Sequence, residues 1–343
     1  MDSEKGRICF IARSGWMDER YDAAALKRLQ KYIVPDRNSF AARMSLKRPP
    51  SLVWPLLLVL ALIWGSSFIL MKRGLYADGV PMLTPWQLAT VRLGVAWLAL
   101  SPFLLRHYAY LRSHFWALLG AGMLGNGIPA FLFATAQSRI DSSLSGMLNS
   151  LTPLMTLVAG VLLFGTRARG IHVVGILLGL VGAAGLILVA RDGRPLEINF
   201  FALLPILGTV CYGLSGNIVK RHLYSLPPIA TAALALTFVG PVSLLLAAGS
   251  GLNETLTAVP GAGKALGYVV LLAVMSSALA LVLWNMLLQH TSALRASSVT
   301  YLMPVVAIGW GLLDGEIIGL RELGMITLVL SGVYIVSVAE RGR

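Results

Sequence analysis

The sequence predicts an all-α integral membrane protein, with about ten transmembrane helices in two inverted five-helix repeats. Three observations carry that expectation. From Leu52 to Ala339 the chain is a ladder of nearly charge-free apolar stretches, each near the roughly 20 residues that a helix needs to cross a hydrocarbon core. The stretches are continuous rather than alternating, which selects helices over a closed barrel as the way to pair every backbone group in lipid. One part of the pattern also recurs at a spacing of about 151 residues. Composition agrees: 57% of residues are hydrophobic and only 13% charged. An ordinary soluble domain carries about 25% charge, so no water-soluble fold of this length can cover so much apolar surface.

The spans fall at about 53–71, 84–105, 115–136, 143–164, 171–190, 200–219, 229–248, 267–288, 297–313 and 321–339. Ten spans put both termini on one side. Thirteen Lys/Arg lie near helix ends or in the tails on the terminal side, against seven on the other, so the termini are expected in the cytoplasm and the protein in the inner membrane. The net charge of +13 sits in the tail and at helix ends, where it meets lipid headgroups. It therefore does not point to nucleic acid. Cys9 and Cys211 have no spacing that suggests a disulfide or a metal site. Residues 1–50 differ in kind. They lack the apolar core of a signal peptide, and 18–34 reads as a short basic amphipathic helix with Leu26, Leu29 and Ile33 on one face. This tail is either a membrane-surface or partner-binding segment or a solvated extension. Met44 begins a segment that reads as a start in its own right, immediately before the first span.

The repeat divides the remainder into 51–192 and 193–343. In each half a span ends in glutamine, Gln137 and Gln289, and a turn of small residues follows. Pro153 and Pro304 then sit inside the next span, with Gly160 and Gly311 seven residues further on. Five spans per copy is an odd number, so the second copy is inverted relative to the first. Inverted repeats are frequent in secondary transporters, whose substrate site lies between the repeats near the midplane.

These segments resemble the drug/metabolite transporter superfamily, and its ten-helix EamA-type members in particular. The resemblance rests on Leu62–Lys72 in the first span, Gln87–Leu93 with Arg92 in the second, and Leu151-Thr152-Pro153 with Gly160 in the fourth. Tyr301–Pro304 through Asp314-Gly315-Glu316, and Gly324 to Gly332, match in the last two. It covers about 53–339. One departure stands out: the glycine–glutamate pair of copy two is Gly165-Thr166 in copy one. The resemblance implies export or uptake of small metabolites, often amino acids or related compounds, by alternating access; an exporter or exchanger is expected, and no cofactor.

Candidate substrate contacts follow from residue chemistry. Arg92 is the only charge well inside a span, where an ionisable group costs about 2.5–3.5 kcal/mol. It is either a contact for a substrate carboxylate or a structural arginine tied to carbonyls. The in-span amides Asn126, Asn149, Asn217 and Asn285 each need a partner within the bundle, and read as substrate contacts or as packing. Gly125–Pro129 around Asn126 is expected to break its helix. Trp64, Tyr212, Trp284 and Tyr301 lie inside spans rather than in the interfacial belt, and with Ser67 they are placed to line a cavity. Pro153 and Pro304 are candidate hinges or static kinks. The glycines from Gly175 to Gly185 read as helix packing.

Other chemistries find no support. Gly261–Ala265 lacks the first glycine and the Ser/Thr of a phosphate loop, which argues against ATP-driven transport. No zinc motif, nucleophile elbow or metal cluster appears, so neither an enzyme nor a metal site is expected. No carboxylate lies mid-span, which favours a facilitator or exchanger, or coupling through Asp314 and Glu316 at a span end. The expected partners are a small-molecule substrate and the lipid bilayer. Monomer and homodimer are equally compatible with the sequence. A nucleotide-sugar or drug carrier of the same superfamily, and a scaffold acting through the basic tail, remain as alternatives.

Overall fold

The computed structural model describes residues 52–166, 169–188 and 199–341. The basic tail and the Met44 start lie outside them. Among the described residues eight helices are long and apolar enough to cross a membrane. They are α1 (Val53–Leu75), α2 (Pro85–His107), α3 (Phe115–Gln137), α4 (Ser142–Phe164), α6 (Phe200–Leu223), α7 (Pro228–Ala248), α8 (Ala262–His290) and α9 (Ala293–Leu313). Two more helices, α5 (Gly170–Leu188) and α10 (Leu320–Arg341), take the places of the fifth and tenth expected spans. A two-stranded hairpin, β1 (Tyr76–Ala77) with β2 (Val80–Pro81), links α1 to α2. It extends α1 beyond its apolar run, so that Lys72 and Arg73 belong to the last turn of the helix.

Local chemistry sets the ends. Thr84 caps α2: its hydroxyl accepts from the Gln87 amide at 3.1 Å, and the Gln87 side chain accepts from the Thr84 amide at 3.0 Å. Pro85 follows in the first turn, where no amide is needed. Gly165 and Gly315 end α4 and α9 in the left-handed region, at φ 71° and 77°. Inside α4, Pro153 leaves the Asn149 carbonyl without its helical donor. The Thr152 hydroxyl supplies one at 2.7 Å.

Helix pairing follows a simple rule. α1 packs on α8 and α9, and α6 packs on α3 and α4. α2 packs on α7, and α5 on α10. Each pairing maps onto another, or onto itself, when a helix is exchanged for the one five places along. α5 and α10 touch most closely at Gly175, Gly182 and Gly332. A Cβ on Gly332 would lie 2.4 Å from the Gly175 carbonyl oxygen. Their contact continues into a core of Leu151, Leu154, Val329 and Val333 against α4. Outward-facing side chains such as Leu105, Leu162, Leu245 and Leu313 are exposed to the surroundings, as a lipid-facing surface requires.

The close approach makes a specific demand on Gly332. Gly332→Val forces α5 from α10 and is expected to lower stability by about 1–3 kcal/mol. Gly267→Ala, with open space around its Cβ, is expected to be neutral. Thermal melting of the two detergent-purified variants checks this; equal melting points would remove the glycine contact as a stability determinant.

Candidate functional site

The eight long helices surround a cavity with about 1010 Å³ of empty space, its open mouth included. Each of the eight contributes lining side chains, while α5 and α10 contribute none. Eight of the ten sequence-predicted contacts line it: Trp64, Ser67, Arg92, Asn126, Asn149, Tyr212, Trp284 and Asn285. The other two do not. The Asn217 amide donates to the Thr156 and Gly213 carbonyls at 2.9 and 2.8 Å, tying α6 to α4. The Tyr301 hydroxyl donates to the Val333 carbonyl at 2.8 Å, tying α9 to α10. Both act as the interhelical polar ties that membrane bundles use. Pro153 and Pro304 start the second segment of α4 and of α9.

The arginine is held by a residue that sequence reasoning passed over. Arg92 Nε donates to the Ser277 hydroxyl at 2.7 Å, and Tyr212 is its electrostatic neighbour. Among the described residues no carboxylate pairs with it. Ser277 lies where α8 loosens into a π-helical turn, Ala273–Leu279, closed by the Ala280 amide donating to the Met275 carbonyl five residues back. The same turn exposes the Ser276 carbonyl, which accepts from Trp64 Nε1 at 3.0 Å. The Ser276-Ser277 pair inside an apolar run was the available signal, but two small residues in a span ordinarily read as packing. α3 carries the corresponding turn at Met123–Gly127. The expected break at Gly125–Pro129 is therefore a widening instead. The Ile128 amide reaches back five residues to Met123, and Pro129 follows in the next turn.

Aromatic rings form the apolar part. Trp64 and Trp284 lie 5.5 Å apart between centroids, tilted by 57°. Tyr212 stacks on Phe133 at 5.9 Å. Three polar atoms of the wall are buried without a partner: Asn126 Nδ2, Asn149 Oδ1 and Asn285 Oδ1. Trp97 Nε1, both side-chain polar atoms of Gln137 and Ser145 Oγ are likewise buried without a partner but lie off the cavity, so what distinguishes the three asparagines is that a solute entering the cavity meets their residues.

A second polar cluster lies at the end of the bundle. Lys72 Nζ contacts Asp314 Oδ2 at 2.6 Å and Glu316 Oε1 at 2.9 Å, and Arg73 pairs with Asp314. Glu316 is 8% exposed. It also accepts from the Ser142 amide and hydroxyl at 3.1 and 2.6 Å and from the Ser143 amide at 3.0 Å, at the N-terminus of α4. Burial works against its charge. The hydrogen bonds from Ser142, Ser143 and Lys72 outweigh burial and bring the pKa down to about 2. Glu316 therefore stays ionised through the physiological range, which leaves it poorly suited to carry a coupling proton.

A bundle of apolar helices around an open, partly polar cavity lined by aromatic rings is the arrangement of a membrane protein that handles a small molecule. The model of the EamA-like transporter family matches residues 52–188 and again 199–338, and the chain belongs to that family. It is 27% identical over 298 residues to the "Uncharacterized inner membrane transporter YedA" of Escherichia coli K12, covering 83% of this chain and 90% of that protein. It is 24% identical over 291 residues to the "Probable amino-acid metabolite efflux pump" of the same organism, and 25% identical to that of Salmonella typhimurium, covering 82% of this chain and 93% of each. A solved crystal structure at 19% identity shares the fold, with a TM-score of 0.56 over 85% of this chain and 99% of that one.

Because the Glu316 carboxyl has a native pKa below its ordinary 4.5, its contribution to stability is complete above about pH 4.5 and disappears as pH falls through about 2. Glu316→Gln is expected to lower stability at pH 7 by roughly 2 kcal/mol, after allowance for solvent at Lys72, and to flatten the acid limb of the profile. Thermal melts between pH 3 and pH 7 check both. An unchanged acid limb would separate the cluster from acid stability.

Proposed function

We propose that this protein is a secondary transporter of the inner membrane that exports or exchanges small zwitterionic or weakly anionic metabolites, amino acids among them. It works by alternating access between two inverted halves. The observation that carries the reading is the cavity itself: a guanidinium with no carboxylate partner among the described residues, amide atoms without partners and a tryptophan pair, drawn from α1, α2, α3, α4 and α8 in a wall to which all eight long helices contribute. α5 and α10 complete ten spans, and the family model matches one half after the other. The exchange symmetry of the helix pairing supports two related halves, and five spans per half makes them inverted. The charge distribution supports a cytoplasmic side for both termini. The relatives' names as inner membrane transporter and amino-acid metabolite efflux pump support the membrane and the substrate class.

The roles divide by chemistry. Arg92 attracts a carboxylate and is oriented by Ser277. Trp64 and Trp284 cover the apolar part of the solute. Asn126, Asn149 and Asn285 meet its remaining polar groups, while Ser67 and Tyr212 complete the wall. Pro153 and Pro304 divide equivalent helices where the halves bend. A nucleotide sugar needs more than one cation for its diphosphate, and among the lining residues only Arg92 carries charge. A cationic drug needs a buried acid, which the lining also lacks.

The test is counterflow in proteoliposomes loaded with an amino-acid and metabolite pool. Saturable exchange of labelled amino acid is expected, with loss of at least about tenfold in Arg92→Gln while the variant remains folded. Equal exchange by the variant removes Arg92 from the site. No exchange by the wild-type chain overturns the carrier reading.

A further inference from the structure

We infer that Asn149 and Asn285 form a hydrogen-bond acceptor subsite that selects solutes bearing an N–H donor, an ammonium or amide group, over analogues without one. This rests on the transporter reading and narrows it. The two side chains are 3% and 4% exposed and come from α4 and α8. Each amide nitrogen is already engaged: Asn149 Nδ2 with Met303 Sδ at 3.7 Å, Asn285 Nδ2 with the Leu281 carbonyl at 2.8 Å. The engaged nitrogens leave the oxygens free, and both oxygens are buried with no donor on them. An acceptor without a protein donor in a buried wall is an incomplete hydrogen bond, and a solute carrying N–H completes it. A carboxylate or keto oxygen placed there meets only another acceptor. The discrimination is therefore repulsive as well as attractive. The opposite polarity sits on Arg92, which offers only donors. The cavity thus presents donors at one place and acceptors at another, and that separation recognises a solute with both kinds of group.

Competition against labelled amino-acid counterflow tests the subsite. The competitors are unlabelled amino acid and the matched carboxylic acid lacking the amine. Wild type is expected to prefer the amino acid by about tenfold or more. Asn149→Leu and Asn285→Leu are each expected to compress that ratio through KM rather than kcat. Arg92→Gln is expected to weaken both competitors together. Exchange that persists in both asparagine variants with the preference intact overturns the subsite and leaves the carrier reading standing. No exchange in wild type overturns the carrier reading itself. Should the leucine variants not fold, Asn149→Ser and Asn285→Ser decide the question.

A separate observation concerns the two mouths. Thr166 stands where Glu316 stands in the other half. Its amide donates to the Gly160 carbonyl at 2.9 Å, as the Glu316 amide does to Gly311 at 2.8 Å. Lys220 and Arg221 end α6 as Lys72 and Arg73 end α1. Arg73 pairs with the Asp314 carboxylate, whereas among the described residues Arg221 bonds to the backbone carbonyl of Phe164, at 3.1 Å, and to no carboxylate. Lys220 donates to the Leu288 carbonyl at 2.7 Å. The geometry points to an ion lock at one mouth only, so that the Lys72–Asp314–Glu316 mouth is held shut while the Phe164–Thr166 mouth opens more readily. With the termini inside, the locked mouth is the extracytoplasmic one.

Labelling of Thr156→Cys in the cavity, in a chain with Cys9 and Cys211 replaced by Ser, tests this with a membrane-impermeant maleimide. Glu316→Thr is expected to raise labelling from outside by about threefold or more. Phe164→Asp with Thr166→Glu, which installs a second lock, is expected to lower labelling from the cytoplasmic side by a similar factor. Unchanged rates in both overturn the lock, whatever counterflow shows. A Glu316→Thr chain that does not fold leaves the second pair to decide.

Discussion

Hydrocarbon offers no hydrogen bonds, and that constraint organises the molecule. A polar group within a span must find a partner inside the protein. The partners here are specific: Thr152 covers the carbonyl freed by Pro153, and Ser277 receives Arg92. Ser276, in a widened turn, receives the Trp64 indole. Asn126, Asn149 and Asn285 each keep a buried amide atom without a partner in the wall of the cavity, while Trp97, Gln137 and Ser145 keep such atoms away from it.

The same constraint explains where charge is allowed. The carboxylate–cation cluster lies at the bundle end, where Lys72 and Arg73 keep contact with solvent and the α4 amides solvate Glu316. Deep in the bundle a single guanidinium is tolerated, through a neutral hydroxyl and a cavity that a solute can enter. The two halves share backbone geometry at Gly165 and Gly315, yet only one carries carboxylates next to it. The backbone geometry recurs while the charges beside it do not, so the two ends of the bundle differ in how they are held.

Much of the site was legible beforehand for a physical reason. Polar and aromatic residues are costly inside apolar runs, so Arg92, Asn126, Asn149, Asn285, Trp64 and Trp284 stood out, and all of them line the cavity. Asn217 and Tyr301 stood out equally, but they bond across helices away from it. The cost of burying a polar group says that a partner exists and does not say whether the partner is protein or solute. Ser277 escaped notice because a serine in a span costs little. Gly125–Pro129 was read as a break because a π-helical turn has no composition that separates it from one.

The sequence by itself determined the helices, their order, the motif that recurs at about 151 residues and the residue types available for binding, since these follow from local composition, spacing and the cost of charge in lipid. Only the tertiary structure decided which polar atoms are spent on neighbours and which stay free, and that Glu316 closes on Lys72 and α4. Those outcomes depend on how helices distant in sequence approach one another, and on single torsions at Gly315 and in the π-helical turns, which no periodicity records.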